Sequence, residues 1–240
     1  MTSSTPATTS TTNAQFISAV NPHPGSFSGV DLTNEEAVKA IGNASITVGD
    51  CTLYIGYRQV SSLNQNPCLL CFKAGKQLWC RQDYENTNDD SKGTGLVWDI
   101  QNQRLYATFT CTGSQGTPDQ DFRRFAKKGW LPSYGQGGGP AIIVLVRIDL
   151  TTGDPQVATY ISAVLSSGKS NACSLKGLSI NVGNVVVNAE TRFSPRGIDR
   201  KALIYNETKK APAPFNYTLE LTPDLSKAVR ATAPEFEGLR

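Results

Sequence analysis

Histidine and methionine occur once each in the 240 residues, and charged side chains make up only 18%. A Ser-His-Asp triad would have to be built on His23, in the turn-like stretch NPHPG, which reads as surface loop. Long apolar runs are absent too. The longest, Ala141 to Val146, is strand-length, far short of the roughly 18 residues that cross a bilayer as a helix, so no membrane span is expected. Met1 is followed by TSSTPATTSTT, without the basic start and apolar stretch of a signal peptide. This Thr/Ser-rich start resembles the spacer that follows an export signal, and an extracellular or cell-surface location is the expectation. A net charge of +3 is too small to argue for nucleic acid. No G-K-[ST] follows the glycines of GQGGGP, and ENTNDDSKG lacks the spacing of a calcium loop, so no motif calls for a cofactor or a metal.

What is present is strand and turn. Low charge with 21 Gly and 13 Pro suits an all-β chain. Residues 1–14 read as a flexible Thr/Ser-rich tail whose threonines suit an added edge strand, and 15–240 as one domain. Ile46–Tyr57 reads as strand, tight turn, strand. Moved forward by 52 positions it falls on Trp98–Phe109, and a third version, Ile180–Ala189, has Gly183-Asn184 as its turn. A second kind of hairpin also occurs three times, at Leu69–Trp79, Val144–Tyr160 and Thr218–Thr232. The two kinds alternate. We expect each hairpin of the second kind to pair with the one that follows it, over 60–113 and 140–193. The last would return to Ile46–Tyr57, hiding two sheet edges. Two capping patterns, TNEE at Thr33–Glu36 and TPDQ at Thr117–Gln120, predict short helices. The second helix would carry DFRRFAKK within an insertion, residues 114–140.

The units VLVRIDLTTGDPQVATY and LSINVGNVVVNAE, and less closely CFKAGKQLWCRQ with LVWDIQNQRLYATF, resemble the bacterial β-propeller repeat (SBBP-like) family of secreted and surface proteins. The resemblance covers about residues 43–233. It implies a propeller-like array of four-stranded antiparallel units. Propellers have about four to eight blades, and three are counted here. Either residues 15–42 add strands, or a partial propeller is closed by its own terminal hairpins or by a second copy. The function implied is a non-catalytic structural or protein-interaction module that self-associates. A carbohydrate-binding propeller, with a glycan as partner, is the alternative, and a secreted hydrolase is third.

The basic segment Arg123, Arg124, Lys127 and Lys128, flanked by Trp130 and Tyr134, is the binding candidate, because cations beside aromatic rings suit an acidic partner. Of six cysteines, Cys68-x-x-Cys71 with Cys80 has the look of a metal or redox motif. An extended strand points 68 and 71 to opposite faces, and a fourth ligand would have to come from Cys51 or Cys111. Cys80 and Cys111, placed in one sheet by the expected pairing, are the disulfide candidates. Sequons stand at Asn43, Asn206 and Asn216.

Overall fold

The computed structural model describes residues 8–13, 15–135, 138–209 and 211–237; residues 1–7 and 14 of the expected tail lie outside them. The chain is nearly all β. Strands β1 (Thr9–Thr12) and β2 (Phe16–Val20) form a hairpin. A loop bearing helix α1 (Glu35–Lys39) leads to the first sheet, β3 (Ser45–Val48), β4 (Cys51–Gln59), β5 (Gln65–Lys73) and β6 (Lys76–Arg81), in chain order. The second sheet starts with β7 (Gly93–Asp99) and β8 (Arg104–Cys111). It resumes after the insertion, which holds helix α2 (Arg123–Ala126), with β9 (Ile142–Ile148) and β10 (Pro155–Ile161). β2 pairs with β7, so the N-terminal hairpin widens this sheet to six strands. Short strands β11 (Ala163–Val164) and β12 (Ser170–Asn171) precede the third sheet. That sheet opens with β13 (Cys173–Asn181) and β14 (Asn184–Thr191). After β15 (Ser194–Pro195) and β16 (Ile204–Tyr205) it ends with β17 (Phe215–Leu221) and β18 (Ala228–Thr232), and β19 (Phe236–Glu237) pairs back on β16. Among the described residues no helix is long and apolar enough to cross a membrane.

The six expected hairpins form, but their partners differ from the expectation. β4 pairs with β5 throughout, from Cys51 opposite Lys73 to Gln59 opposite Gln65, and the C-terminal hairpin β17–β18 pairs with β14. Ile46–Tyr57 therefore does not join the C-terminal hairpin. The four-stranded units span 45–81, 93–161 and 173–232 instead of 60–113 and 140–193. Loop length explains the difference for the first unit, whereas the other two pair across the longer links 112–141 and 192–214. Residues 60–64 allow only a local antiparallel return beside β4, whereas 82–92 and 162–172 can carry the chain to another sheet. Among the described residues the sheets do not close into a ring.

The second sheet lies between the other two, because both of its faces are apolar. Successive strand residues point to opposite sides. Leu96, Leu105, Val144 and Val146 meet Leu53, Ile55 and Leu69 of the first sheet. Val97, Tyr106, Ile143 and Leu145 meet Leu178, Ile180 and Val187 of the third. Burial on both faces is why β9 reads as the unbroken run IIVLV. The outer face of the first sheet is covered by Phe27, Val38 and neighbours from the 27–41 segment. On the outer face of the third, Glu220 holds Asn181, Asn184 and Arg230.

Close sheet approach depends on two glycines in β7. A Cβ on Gly93 would stand 2.2 Å from Ile55 Cγ1, and one on Gly95 would stand 3.0 Å from both Leu175 and Leu178. Residues two apart normally share a face. A β-bulge between Gly93 and Gly95 breaks that rule, so one glycine admits the first sheet and the other the third. Strand β2 makes contact with both β3 and β13, so the N-terminal hairpin wedges between the first, edge strands of the outer sheets.

Both helices are shorter than expected. Asn34, not Thr33, caps α1, accepting from Ala37 N at 3.2 Å. At the second capping pattern Gln120 Oε1 accepts from Thr117 N and Oγ1, closing a turn, and one helical turn follows. The third hairpin also corrects its expected turn. Asn181 pairs with Asn184, so the turn residues are Val182 and Gly183, at φ +48° and +80°. A β-branched residue is poorly suited to that left-handed region, and Val182 is 88% exposed. Val182→Asn is expected to stabilise the protein by about 1 kcal/mol, since asparagine tolerates this conformation. Urea denaturation checks it: the midpoint should rise with the slope unchanged.

Candidate functional site

The insertion between β8 and β9 is anchored by buried rings. Phe122 and Tyr134 are fully buried, and Trp130 is 3% exposed. Trp130 Nε1 donates to Ile198 O at 2.8 Å, and Tyr134 Oη donates to Pro140 O at 2.7 Å. These two rings are packing residues and offer no binding face. Arg123 is likewise committed. Its guanidinium holds the buried Asp121 carboxylate at 2.6 Å and donates to Gly116 O. Asp121 holds the Arg123 guanidinium charged, and removing it would leave a buried carboxylate unpaired. The expected six-residue patch therefore loses Arg123, Trp130 and Tyr134.

The other three candidates do come together. Arg124, Lys127 and Lys128 line a groove of about 460 Å³ whose floor is Phe125 and Val157, and Arg147 of β9 joins them. Arg124 lies 4.5 Å from the Phe125 ring centroid and donates to Asp119 O at 3.0 Å and to Asp83 O. Arg147 donates to Gln156 Oε1 at 2.8 Å and to Pro223 O at 3.3 Å. Carbonyls and an amide fix these two guanidinium groups without cancelling their charge. Lys127 and Lys128 are exposed. Among the described residues no ion pair reaches any of the four cations. One carboxylate, Asp224, shares the groove. The Thr222 hydroxyl and the backbone and hydroxyl of Ser226 hydrogen-bond it and hold its pKa low, so it stays charged. Four cations against one anion leave the groove clearly positive. Arg147 and Gln156 also line an adjoining groove of about 480 Å³ that adds Arg104 and Trp98. Sequence reasoning missed Arg147; the signal that could have found it is a lone charge near the end of an apolar strand. Arg104 stands at the start of β8, on the same side as Tyr106, which lies opposite Arg147.

A larger cavity of about 490 Å³ collects residues from all three sheets, including Gln65, Thr94, Thr110, Ser174 and Lys176. His23 is exposed at its rim. Its charged groups serve local structure: Glu190 pairs with Lys176 at 3.1 Å, and Asp90 accepts from Gln65 N at 3.0 Å. Among the described contacts no hydrogen bond joins the His23 ring to Ser174 or to either carboxylate.

The cysteine expectations divide. Cys68 and Cys71 do face opposite sides of β5, one into the outer cluster and one into the core. The Cys80–Cys111 pairing is overturned. Cys80 lies in β6 of the first sheet, whereas Cys111 ends β8 of the second and is buried beside Gly113 O. All six cysteines are free thiols. Among the described residues no group of three or more His, Cys, Asp or Glu is placed to hold a metal ion. The Asn43 sequon is closed, because its amide is buried and bonded to Gly25 N and O. Asn216 is exposed. No family model, curated protein or solved structure matches the chain.

The insertion rests on the loop 85–90. Asn86 N donates to Gln120 O at 3.0 Å, and Gln115 N donates to Asp89 Oδ2 at 2.7 Å. Glu85, fully buried, accepts from Thr87 N at 2.6 Å and from the Thr87 hydroxyl, while its Oε2 has no partner. Burial raises its carboxyl pKa to about 7, against the Thr87 hydrogen bonds and with help from Asp89 and Asp121. The folded protein thus holds a proton that the unfolded chain releases near the ordinary 4.5. This contribution to stability is complete below that value and is lost as pH rises through about 7. Thermal melts should show a fall in stability between pH 5 and 8 that Glu85→Gln makes shallower.

Proposed function

We propose that the protein is a non-catalytic interaction module whose basic groove binds an acidic protein segment. The observation that carries the reading is the convergence of Arg124, Lys127, Lys128 and Arg147, unneutralised, over an apolar floor of Phe125 and Val157. Two of the cations are held in place, so little side-chain freedom is lost when an acidic chain docks. The apolar floor suits a peptide with carboxylates and interspersed apolar side chains. A sugar-binding reading has less support, because Trp130 and Tyr134 are occupied in packing and Trp79 packs against Gly153 and donates to Leu150 O.

The scaffold under the groove is, in this proposal, an open arc of three blade-like sheets, as the resemblance to the bacterial β-propeller repeats implies. The shared strand order of the sheets and their face-to-face stacking support that reading. Placement outside the cell or on its surface belongs to the same proposal. Self-association is its second part and rests on β1. All four of its residues are exposed, and one of its edges has no strand partner among the described residues. Such an edge can accept a strand from another copy.

The test is binding of a labelled polyglutamate peptide, followed by anisotropy at low and physiological salt. Wild type should bind, with affinity falling as salt rises. Lys127→Glu with Lys128→Glu should weaken binding by about tenfold or more. Equal binding by the double variant, or none by wild type, overturns the reading. Heparin run in parallel separates a peptide site from an anionic-glycan site.

A further inference from the structure

We propose that Cys80 is a thiol-exchange site, the nucleophile of a Cys68–Cys80 dyad on the outer face of the first sheet, and that it forms a mixed disulfide with low-molecular-weight disulfides such as glutathione disulfide. The dyad follows from the register. Leu70 of β5 stands opposite Cys80 of β6, so Cys68, two residues from Leu70, is the diagonal neighbour of Cys80 on the same face. Both pack against the cluster formed by Phe27, Val38, Tyr54 and Phe72. Cys68 is fully buried; Cys80 is only half-buried and reaches solvent.

The surroundings of the Cys80 sulfur are those of an anion. Gln82 Nε2 donates to Cys80 Sγ at 3.3 Å, and Gln82 Oε1 accepts from Arg58 at 2.8 Å, which fixes the amide and brings a guanidinium behind it. The Cys68 thiol is the diagonal neighbour of this sulfur on the same face. Hydrogen bonding from Cys68, then from Gln82, with the Arg58 charge, lowers the Cys80 thiol to about 7 against the effect of burial. Cys68 moves the opposite way, well above its ordinary value, so the shared proton stays on Cys68. Burial also raises Cys71 and Cys173 to about 12 and pushes Cys111 up. Cys51, the other half-buried thiol, has a carboxylate for company: its sulfur lies 3.6 Å from Asp50 Oδ1. Other ionisable groups over this face are engaged elsewhere. Glu35 accepts from Tyr54 Oη at 3.0 Å, Asp31 accepts from Thr33, and Glu36 pairs with Lys39.

The step balances without a further oxidant. The Cys80 thiolate attacks one sulfur of glutathione disulfide, a new S–S bond forms as the old one breaks, and glutathione thiolate leaves. Cys68 does not resolve the product into an internal disulfide. It is buried and keeps its proton, and diagonal cross-strand neighbours stand about 7 Å or more apart at Cα, beyond the usual reach of a bridge without backbone movement. Cys68 and Gln82 are therefore positioning residues.

The test is treatment of the native protein with glutathione disulfide at pH 7, followed by intact mass and peptide mapping, with the alkylation rate measured against pH. One adduct on Cys80 and a rate midpoint about pH 7 are expected. Cys80→Ser should abolish the adduct. Cys68→Ala should move the midpoint upward and slow labelling at pH 7 by about tenfold. Gln82→Ala, outside the buried cluster, should shift it the same way and serves if Cys68→Ala does not fold. An adduct on Cys51, a midpoint that neither variant moves, or an internal Cys68–Cys80 disulfide would overturn the proposal.

Discussion

Burial of both faces of one sheet is the constraint on which the remaining structure depends. Strands β7 to β10 are apolar on both sides, and neither side can be left to water. One side must be met by the first sheet and the other by the third. The bulge between Gly93 and Gly95 lets both neighbours come close to the same inner strand. The N-terminal hairpin then fills the space beside that strand, and the 27–41 segment covers the first sheet from outside.

The insertion is a consequence of the same packing. It leaves the second sheet between β8 and β9 and must return across the edge of β10, so Phe122, Trp130 and Tyr134 are drawn into the cores. The backbone between those anchors presents Arg124, Lys127 and Lys128 outward beside Arg147. The insertion is supported by the loop 85–90, which is tied to it by the backbone hydrogen bond from Asn86 to Gln120 and by the Asp89 carboxylate. Charge and support thus come from different parts of the chain. The thiol dyad lies elsewhere, on the far side of the first sheet, and shares no residue with the groove.

Much of the fold was legible because it is local. Two-residue alternation, turns holding Gly or Pro-Asp and the 52-residue offset between copies marked the six hairpins, and the same alternation separated Cys68 from Cys71. Hairpin partners were not legible from those patterns, since any apolar strand edge can pair with another. The five-residue link 60–64 carried the missing information for the first unit. Among the basic residues, composition could not distinguish Arg123 from Arg124, because the carboxylate that neutralises one of them is fixed by the turn at Asp121. Arg147 went unnoticed as a binding residue because it belongs to an apolar strand, outside the basic run at 123–128.

The sequence by itself determined strand, turn and face, because these follow from backbone sterics and from the two-residue period of side chains. It also determined that the chain is β-rich and low in charge. Only the tertiary structure decided which hairpins share a sheet, which cations remain unneutralised and which two thiols are neighbours. Those outcomes depend on contacts between residues distant in the chain, made when two apolar faces of one sheet must both be covered. Cys80 meets Cys68 and not Cys111 for that reason: the pairing of β5 with β6 places one beside it, and the break at residues 82–92 sends the other to the next sheet.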